Sequence, residues 1–285
     1  MAGPTRLASA RAPRYTSGMQ HVLVTGARGG LGTAVTQLLS GRGVTVFALD
    51  LAAEAGAAEP PAPNVISLEG DVTRAESVVA ALEQVRRRTD GLDGLVCCAA
   101  VFTGGPLAEA GEQALVHAFD VNVGGAHRLV RESFPLLARR GGCIVLVSSE
   151  SARFAMPFNG PYTVTKYALE AYGDCLRREL QLEGIRVALV QPGAFQSNLL
   201  ATADQEAGTP GRDSAFVRQV QLVHRMLQRE RARSMPAERV ARVVVRALAA
   251  ARPRARYRVG NNRPRMLLRF LPARAADALI KRYMQ

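Results

Sequence analysis

The sequence of 285 residues contains no tryptophan, only two lysines and few aromatic residues, which make up 5% of the chain. Proteins that hold single-stranded nucleic acid stack its bases on aromatic side chains, so this shortage argues against such a partner. No apolar run approaches the ~18 residues of a membrane-spanning helix. Residues 1–20 lack the roughly 7–15-residue apolar core of a secretory signal. We expect them to form a disordered tail ahead of an internal start at Met19, although their composition also resembles that of a transit peptide.

Cysteine is scarce too, and the four residues lie in apolar segments without the spacing of metal ligands. Buried, reduced thiols are typical of cytoplasmic proteins, where disulfides are rare. We therefore expect a cytoplasmic protein with neither disulfides nor a metal site. The four residues are Cys97, Cys98, Cys143 and Cys175.

The net charge of +13 is concentrated at one end of the chain. Residues 225–285 hold seventeen basic and three acidic side chains, so residues 1–224 are nearly neutral and a nucleic-acid partner is not predicted. Arginines alternate with apolar residues over 252–282, which predicts a basic amphipathic extension at 261–285. This extension either packs back on the domain or docks on an anionic membrane surface as a peripheral contact.

Between these ends, short apolar segments alternate with helical patterns. Strands that are apolar throughout and alternate with helices predict one doubly wound α/β domain, a parallel sheet with helices on both faces, over residues 21–260. One helix is predicted at 73–88, with Thr73 and Glu76 forming a capping box. The seven predicted strands are 21–25, 44–49, 65–68, 94–99, 143–147, 185–190 and 257–259.

The first predicted strand runs directly into a glycine-rich loop and then a helix. Glycines in this context let backbone N–H groups approach a pyrophosphate at a helix N-terminus, where the helix dipole favours anions. The loop therefore predicts a dinucleotide site. Its candidate residues are Thr25, Gly26, Arg28, Gly30, Leu31 and Gly32.

An acidic residue, Asp50, closes the second predicted strand. A carboxylate there accepts hydrogen bonds from an adenosine ribose and repels a 2′-phosphate, so we predict NAD(H) as the preferred cofactor. NADP(H) stays open because Arg28 is able to meet that phosphate. Asp71 and Val72 follow the third strand, where a side chain reaches the adenine, although Asp71 is equally well a loop acid before the Thr73 cap.

Two serines follow the fifth predicted strand, and Tyr162 comes thirteen residues after the second of them, Ser149. Lys166 shares a helix face with Tyr162 at the i, i+4 spacing. Its ammonium is expected to lower the phenol pKa from about 10, and the serine hydroxyl to hold a substrate oxygen. The pattern predicts general acid/base chemistry on an alcohol or carbonyl.

With this loop and this serine, tyrosine and lysine, the chain resembles the short-chain dehydrogenase/reductase family in its compact form, over about residues 21–260. The resemblance implies a Rossmann-type fold and hydride transfer between NAD(P) and an alcohol, ketone or aldehyde. It also implies that Tyr162 is the acid/base, that Lys166 lowers its pKa and binds the nicotinamide ribose, that Ser149 orients the substrate, and that Asn122 supports a proton-relay water. Further cofactor contacts would come from Ala99, Pro192, Gly193 and Ser197.

The sequence after Pro192 is similar to that of the retinol and hydroxysteroid dehydrogenase branch. This similarity implies a bulky lipophilic substrate under a lid at about 194–235. The family also implies a homodimer or homotetramer. One departure is clear: the fourth strand ends in Cys-Cys-Ala-Ala at 97–100, where the family has Asn-Asn-Ala-Gly. Candidate pocket residues, which are equally well core residues, are Phe154, Met156, Phe158, Phe195, Leu199 and Leu200.

Two other interpretations remain at this point. A non-catalytic dinucleotide-binding or scaffold protein would keep the fold, but it would be expected to lose one of the four catalytic side chains. A peripheral-membrane enzyme that docks through its basic C-terminus is compatible with the leading hypothesis, which is an NAD(P)-dependent oxidoreductase.

Overall fold

The computed structural model describes residues 18–52, 62–197, 199 and 214–285. Its centre is a seven-stranded parallel sheet in the order β3-β2-β1-β4-β5-β6-β7, so the predicted doubly wound sheet is confirmed. The strands are β1 (His21–Thr25), β2 (Thr45–Asp50), β3 (Val65–Glu69), β4 (Gly94–Cys97), β5 (Cys143–Val147), β6 (Arg186–Pro192) and β7 (Arg256–Val259).

Helices cover both faces of this sheet because its strands present apolar side chains in both directions. The described helices are α1 (Gly30–Ser40), α2 (Ala75–Arg86), α3 (Glu112–Phe119), α4 (Ala126–Arg140), α5 (Gly160–Leu180), α6 (Val217–Ala232), α7 (Ala237–Ala249), α8 (Arg263–Leu268) and α9 (Ala273–Met284). A π-helical stretch, Asp120–Gly125, joins α3 to α4.

Two apolar layers lie on either side of the sheet. In one, α1 and α7 pack on Val22, Val24 and their neighbours. In the other, α2, α4 and α5 pack on Leu23, Leu95 and Ile144. The strand order reverses direction between β1 and β4, and a crevice opens at such a reversal beyond the carboxyl ends of the strands.

Several local predictions were wrong. The fourth strand ends at Cys97 rather than at residue 99. Helix α2 begins at Ala75 without a capping box, because Asp71 Oδ1 accepts hydrogen bonds from both the N–H and the hydroxyl of Thr73 and holds that residue in the preceding turn. Cys175 is exposed on α5, whereas Cys97 and Cys143 are buried as expected.

The basic C-terminal region is built into the domain. β7 completes the sheet, and Arg256 on it forms ion pairs with Glu170 and Asp174 of α5. Met284, at the end of α9, is buried against Val223 and Leu227 of α6. Residues 1–17 lie outside the described part of the chain, and no described helix is long and apolar enough to span a membrane.

Candidate active site

A cavity of about 710 Å³ opens at the carboxyl ends of the central strands, where the strand order reverses. Thr25 and Asn122 lie behind this cavity rather than on its wall, where they help to line a much smaller void. The other predicted site residues all line it: Gly26, Arg28, Gly30, Leu31, Gly32, Asp50, Asp71, Val72, Ala99, Ser149, Tyr162, Lys166, Pro192, Gly193 and Ser197.

The glycine-rich loop brings the N-terminus of α1 to the cavity. Gly26 has a φ of 63°, and a Cβ there would come 2.8 Å from the Ala99 nitrogen, so β1 and β4 approach closely only with glycine. The N-cap is Gly29, which has no side chain to bond the first helical N–H groups. Those groups have no intrahelical partner and face the cavity, which fits the pyrophosphate of a dinucleotide.

Asp50 stands beside this loop at the end of β2. Its Oδ2 accepts a hydrogen bond of 2.7 Å from the Arg28 N–H, and its Oδ1 accepts one of 2.8 Å from the Leu51 N–H. Each carboxylate oxygen keeps lone pairs for a further donor such as a ribose hydroxyl. The Arg28 guanidinium meanwhile donates to the Leu51 carbonyl. These residues fit the adenosine end of a dinucleotide.

Asp71 and Val72 line the same end of the cavity. Hydrogen bonds from Thr73 hold the pKa of Asp71 below its usual range, so its carboxylate is ionised at neutral pH. The Asp71 N–H reaches the Ser77 hydroxyl at 2.9 Å, which fixes the turn between β3 and α2. Asp71 therefore has a structural role in this turn as well as a position on the cavity wall.

Ser149 and Tyr162 meet at the centre of the cavity. Ser149 follows β5 and Tyr162 lies in the first turn of α5, and the two side chains are close enough to interact. Burial raises the pKa of Tyr162 to about 12, the Ser149 hydrogen bond opposes this rise, and the charge of Glu150 adds to it. The pKa of Tyr162 is therefore raised rather than lowered as expected, because burial is the dominant cause.

Lys166 is buried one helical turn from Tyr162, with its Nζ 5.5 Å from the centre of the phenol ring. Nζ donates a hydrogen bond of 3.1 Å to the Val147 carbonyl. Burial lowers the pKa of Lys166 to about 8. A buried ammonium with one protein acceptor has further N–H donors to offer, which fits a ribose hydroxyl in the adjoining cavity.

Asn122 connects two parts of this site from behind. Its Oδ1 accepts from the Val101 N–H at 2.9 Å, and its Nδ2 donates to the Val101 carbonyl and to the Thr165 hydroxyl at 3.0 and 2.9 Å. The π-helical stretch that carries Asn122 places it there, as such stretches often do near functional sites. Both amide hydrogens are thus engaged, tying the loop after β4 to the helix that carries Tyr162.

Cysteines occupy the end of β4, where the resemblance led us to expect asparagines. Cys97 is buried and Cys98 lines the cavity, and neither thiol hydrogen-bonds to a residue that the structure describes. Burial raises the pKa of Cys97 to about 12 and that of Cys98 further, so both thiols are neutral. The Thr25 hydroxyl accepts the Ala99 N–H at 3.4 Å and provides the described side-chain link between β1 and β4.

The remaining wall of the cavity contains residues that motif analysis missed. Phe102 packs on the Tyr162 ring at 5.1 Å between centroids, and Leu227 of α6 lies nearby on the wall. Three ionisable side chains, Glu150, Glu230 and Arg265, also line it. They come from distant parts of the chain without a shared motif; only the position of Glu150 directly after Ser149 was available as a signal.

The predicted pocket residues divide into three groups. Phe195 and Leu199 line the cavity. Phe154 is buried away from it, and Phe158 packs against Phe216 of the α6 region at 5.6 Å between ring centroids. Met156 does not line it either, and Leu200, with residues 201–213 of the predicted lid, lies outside the described residues.

The family model for short chain dehydrogenases matches residues 20–208. Retinol dehydrogenase 16 of Mus musculus is 32% identical over 279 residues, which cover 92% of this chain and 87% of that protein. NADPH-dependent 3-dehydrocapnine reductase of Ornithobacterium rhinotracheale is 29% identical, in an alignment that covers 84% of this chain and 87% of that protein.

Some relatives are matched over a smaller share of their length. Against three further retinol dehydrogenases, the chain spans 57% or 58% of their length. Among solved structures, a short-chain dehydrogenase from Streptomyces avermitilis superposes with a TM-score of 0.75 at 25% identity, over 94% of this chain and 97% of that one.

Proposed function

The chain belongs to the short-chain dehydrogenase family and is an NAD(P)-dependent oxidoreductase, and from that premise we propose that it interconverts an alcohol and a ketone or aldehyde with Tyr162 as the acid/base. One observation carries the proposal: Ser149, Tyr162 and Lys166 line the same cavity as the glycine-rich loop. An acid/base group beside a dinucleotide site is what this reaction requires.

The nicotinamide cofactor, when bound, supplies or accepts the hydride. The Ser149 hydroxyl holds the substrate oxygen next to the Tyr162 phenol. In the reducing direction the phenol donates its proton to the carbonyl oxygen, and its raised pKa keeps that proton in place at neutral pH. In the oxidising direction the phenolate removes the alcohol proton, and the Lys166 ammonium stabilises the negative charge. Asn122 holds α5 in register and supports a relay water near Lys166.

The cofactor-binding residues would be those of the glycine-rich loop with Asp50, Asp71, Val72, Ala99 and the segment 192–197. NAD(H) is the favoured form, because a 2′-phosphate would meet the carboxylate of Asp50. The Arg28 guanidinium supports this preference, since it is bound to the Leu51 carbonyl. The relative named as NADPH-dependent keeps NADP(H) open as a second cofactor.

The substrate would be a bulky lipophilic alcohol or carbonyl compound. Phe102, Phe195, Leu199 and Leu227 form an apolar part of the wall near Tyr162. The name of the mouse relative, a retinol dehydrogenase, is consistent with a substrate of this kind. Residues 194–235, which include α6, would act as the lid.

A peripheral membrane contact is favoured by one surface of the C-terminal helices. Leu267 on α8, Phe270 in the turn that follows it, and Leu279 and Tyr283 on α9 are exposed among the arginines of a strongly basic segment. Apolar side chains flanked by arginines bind anionic lipid surfaces. We therefore propose a cytoplasmic enzyme that docks on anionic membranes through this surface. Because β7 and Met284 belong to the folded domain, the test is Leu267→Ser/Phe270→Ser in liposome flotation rather than truncation.

A homodimer or homotetramer would form partly on α5. Val164 and Tyr167 are exposed on this helix, on the side away from the cavity-lining Tyr162 and Lys166. Light scattering of the purified chain, with Tyr167→Glu as the disrupting variant, would check this assembly.

The activity is tested by following NADH absorbance across steroids, retinoids, aliphatic alcohols and diketones. We expect turnover with at least one lipophilic alcohol or ketone. Binding of NADH without turnover of any probe would instead support the non-catalytic alternative, and failure to bind either dinucleotide would contradict both.

A further inference from the structure

Three ionisable side chains form a charged corner on the substrate side of the cavity. Glu150 follows Ser149, Glu230 lies near the end of α6, and Arg265 lies in α8. All three line the cavity, and their side chains are 11%, 25% and 21% exposed, respectively. We call Glu150, Glu230 and Arg265 the charged corner.

The charged corner is held together by direct contacts. Arg265 Nη1 lies 3.6 Å from Glu150 Oε1, and Arg265 Nη2 donates to Glu230. The second oxygen of Glu150, Oε2, accepts a hydrogen bond of 2.7 Å from the Asn262 N–H. Two carboxylates therefore neutralise the charge of the guanidinium, and the start of the C-terminal extension is fixed next to Ser149.

The charge balance of this corner has a consequence for what the cavity accepts. Two carboxylates face one guanidinium, and burial raises the pKa of Glu150. The corner is negative when Glu150 is ionised and neutral when it is protonated, so in neither state does it carry a positive excess. Among the described basic side chains on the cavity wall, Arg28 lies beside Asp50, His117 acts on Asp71 and Lys166 lies beneath the catalytic pair. Arg265 is therefore the described cation of the substrate side.

We propose that the charged corner makes the substrate site selective against carboxylates, because Glu150 and Glu230 occupy the guanidinium that would otherwise bind one. The inference rests on the proposed function and adds its substrate class: neutral alcohols and carbonyl compounds. A carboxylate entering this side loses its hydration and is repelled by two glutamates, and no cation among the described residues is left free to bind it. A neutral ester or hydroxyl of the same shape pays neither cost.

The test compares ω-hydroxy carboxylates of increasing chain length with their methyl esters. Binding to the full chain is measured by calorimetry, and turnover with NAD is measured separately. For the wild-type protein we expect the esters to bind at least about tenfold more tightly, a difference of roughly 1.4 kcal/mol. Equal affinity for ester and carboxylate would overturn the proposal.

Variants then assign the effect to the corner. Glu230→Gln frees one side of the guanidinium and should raise the affinity for carboxylate relative to ester by about tenfold. Glu230→Gln/Arg265→Gln should lose that gain. Glu238→Gln, on the exposed face of α7, removes the same charge away from the cavity and should leave the ratio unchanged. An unchanged ratio in folded Glu230→Gln would also overturn the proposal.

Binding and turnover separate this inference from the proposed function. Preferential ester binding without oxidation of any probe would support the charged corner and contradict the dehydrogenase activity on alcohols. Oxidation of ester and carboxylate with equal efficiency would support the activity and contradict the corner. Binding of neither class by any variant would contradict the assignment of this cavity side to substrate.

Discussion

The Lys166 ammonium donates a hydrogen bond to the carbonyl oxygen of Val147, the last residue of β5, at 3.1 Å. This contact ties α5 to the strand whose end carries Ser149. It also keeps the ammonium close to the Tyr162 ring. Burial is the largest influence on the pKa values of both side chains.

Tyr162→Phe should lower turnover by about 10²–10⁴-fold, the contribution typical of a positioned acid or base. Because the substitution removes only the hydroxyl, the aromatic ring should still pack on Phe102 and NADH should still bind. Steady-state rates and NADH fluorescence titration measure the two effects. Tyr167→Phe, an exposed residue on the same helix, serves as the control. Full turnover by Tyr162→Phe would refute the catalytic assignment.

Lys166→Met should change how stability depends on pH. In the wild-type protein the pKa of Lys166 falls from 10.5 to about 8 on folding, so between these pH values the unfolded chain binds more protons than the folded one. Stability contributed by this group therefore rises from pH 8 to 10.5 and is at its lowest below pH 8.

Without the buried amine, the variant should be more stable than wild type at neutral pH, by on the order of 2 kcal/mol. It should also lack the contribution of Lys166 to the rise in stability between pH 8 and 10.5. Denaturant unfolding across this pH range, without dinucleotide, measures both. Because the raised thiol pKa values act equally in both proteins, the test is the stability of wild type relative to the variant. A relative stability that falls from pH 8 to 10 would show that the ammonium is stabilised in the fold, against the direction given by burial.

Much of the site could be predicted because its residues are local in sequence. A loop between a strand and a helix, and a pair four residues apart on one helix, are set by short-range geometry. The parallel sheet covered by helices on both faces follows from the alternation of buried strands and helices. The predicted capping box at Thr73 does not form, because the N–H and the hydroxyl of Thr73 both donate to Asp71, two residues earlier.

The charged corner could not be predicted because it depends on long-range packing. Glu150, Glu230 and Arg265 are brought together by the way α6 and α8 fold over the cavity, and that packing leaves no local pattern. The direction of the Tyr162 pKa was mispredicted for a similar reason. Pair spacing specifies that Lys166 is near, but the depth of burial that outweighs it comes from the surrounding chain.

Asp50→Ser should shift cofactor preference toward NADP(H). The substitution removes the carboxylate that repels a 2′-phosphate. It also frees the Arg28 N–H, which donates to that carboxylate in the wild-type protein. We expect kcat/KM for NADPH relative to NADH to rise at least about tenfold. Adding Arg28→Ala should reverse part of the gain. A tenfold NADPH preference in the wild-type protein would contradict the assigned role of Asp50.

The cysteines of β4 should respond differently to asparagine. Cys98→Asn, on the cavity wall, should leave turnover within a few-fold, since the catalytic side chains are untouched. Cys97 is buried in the apolar layer, so Cys97→Asn places an amide there without an assured partner and should cost about 1–3 kcal/mol. Thermal unfolding and steady-state rates separate the two, with exposed Cys175→Asn as the control. Recovery of activity from none in Cys98→Asn would show that the departure had been limiting.

Arg256→Met should destabilise the domain through Glu170. Arg256 Nε lies 2.8 Å from Glu170 Oε2, and the other oxygen of this buried carboxylate accepts from Gln191 Nε2 at 2.9 Å. Removing the guanidinium leaves a buried charge without its counter-ion, which costs about 3 kcal/mol in comparable sites. Because the penalty belongs to the charge, Glu170→Gln in the Arg256→Met background should restore part of the loss. Denaturant unfolding of the single and double variants, with Arg254→Met as the control, measures it. A double variant no more stable than Arg256→Met would show that Arg256 acts through β7 packing or Asp174 rather than through Glu170.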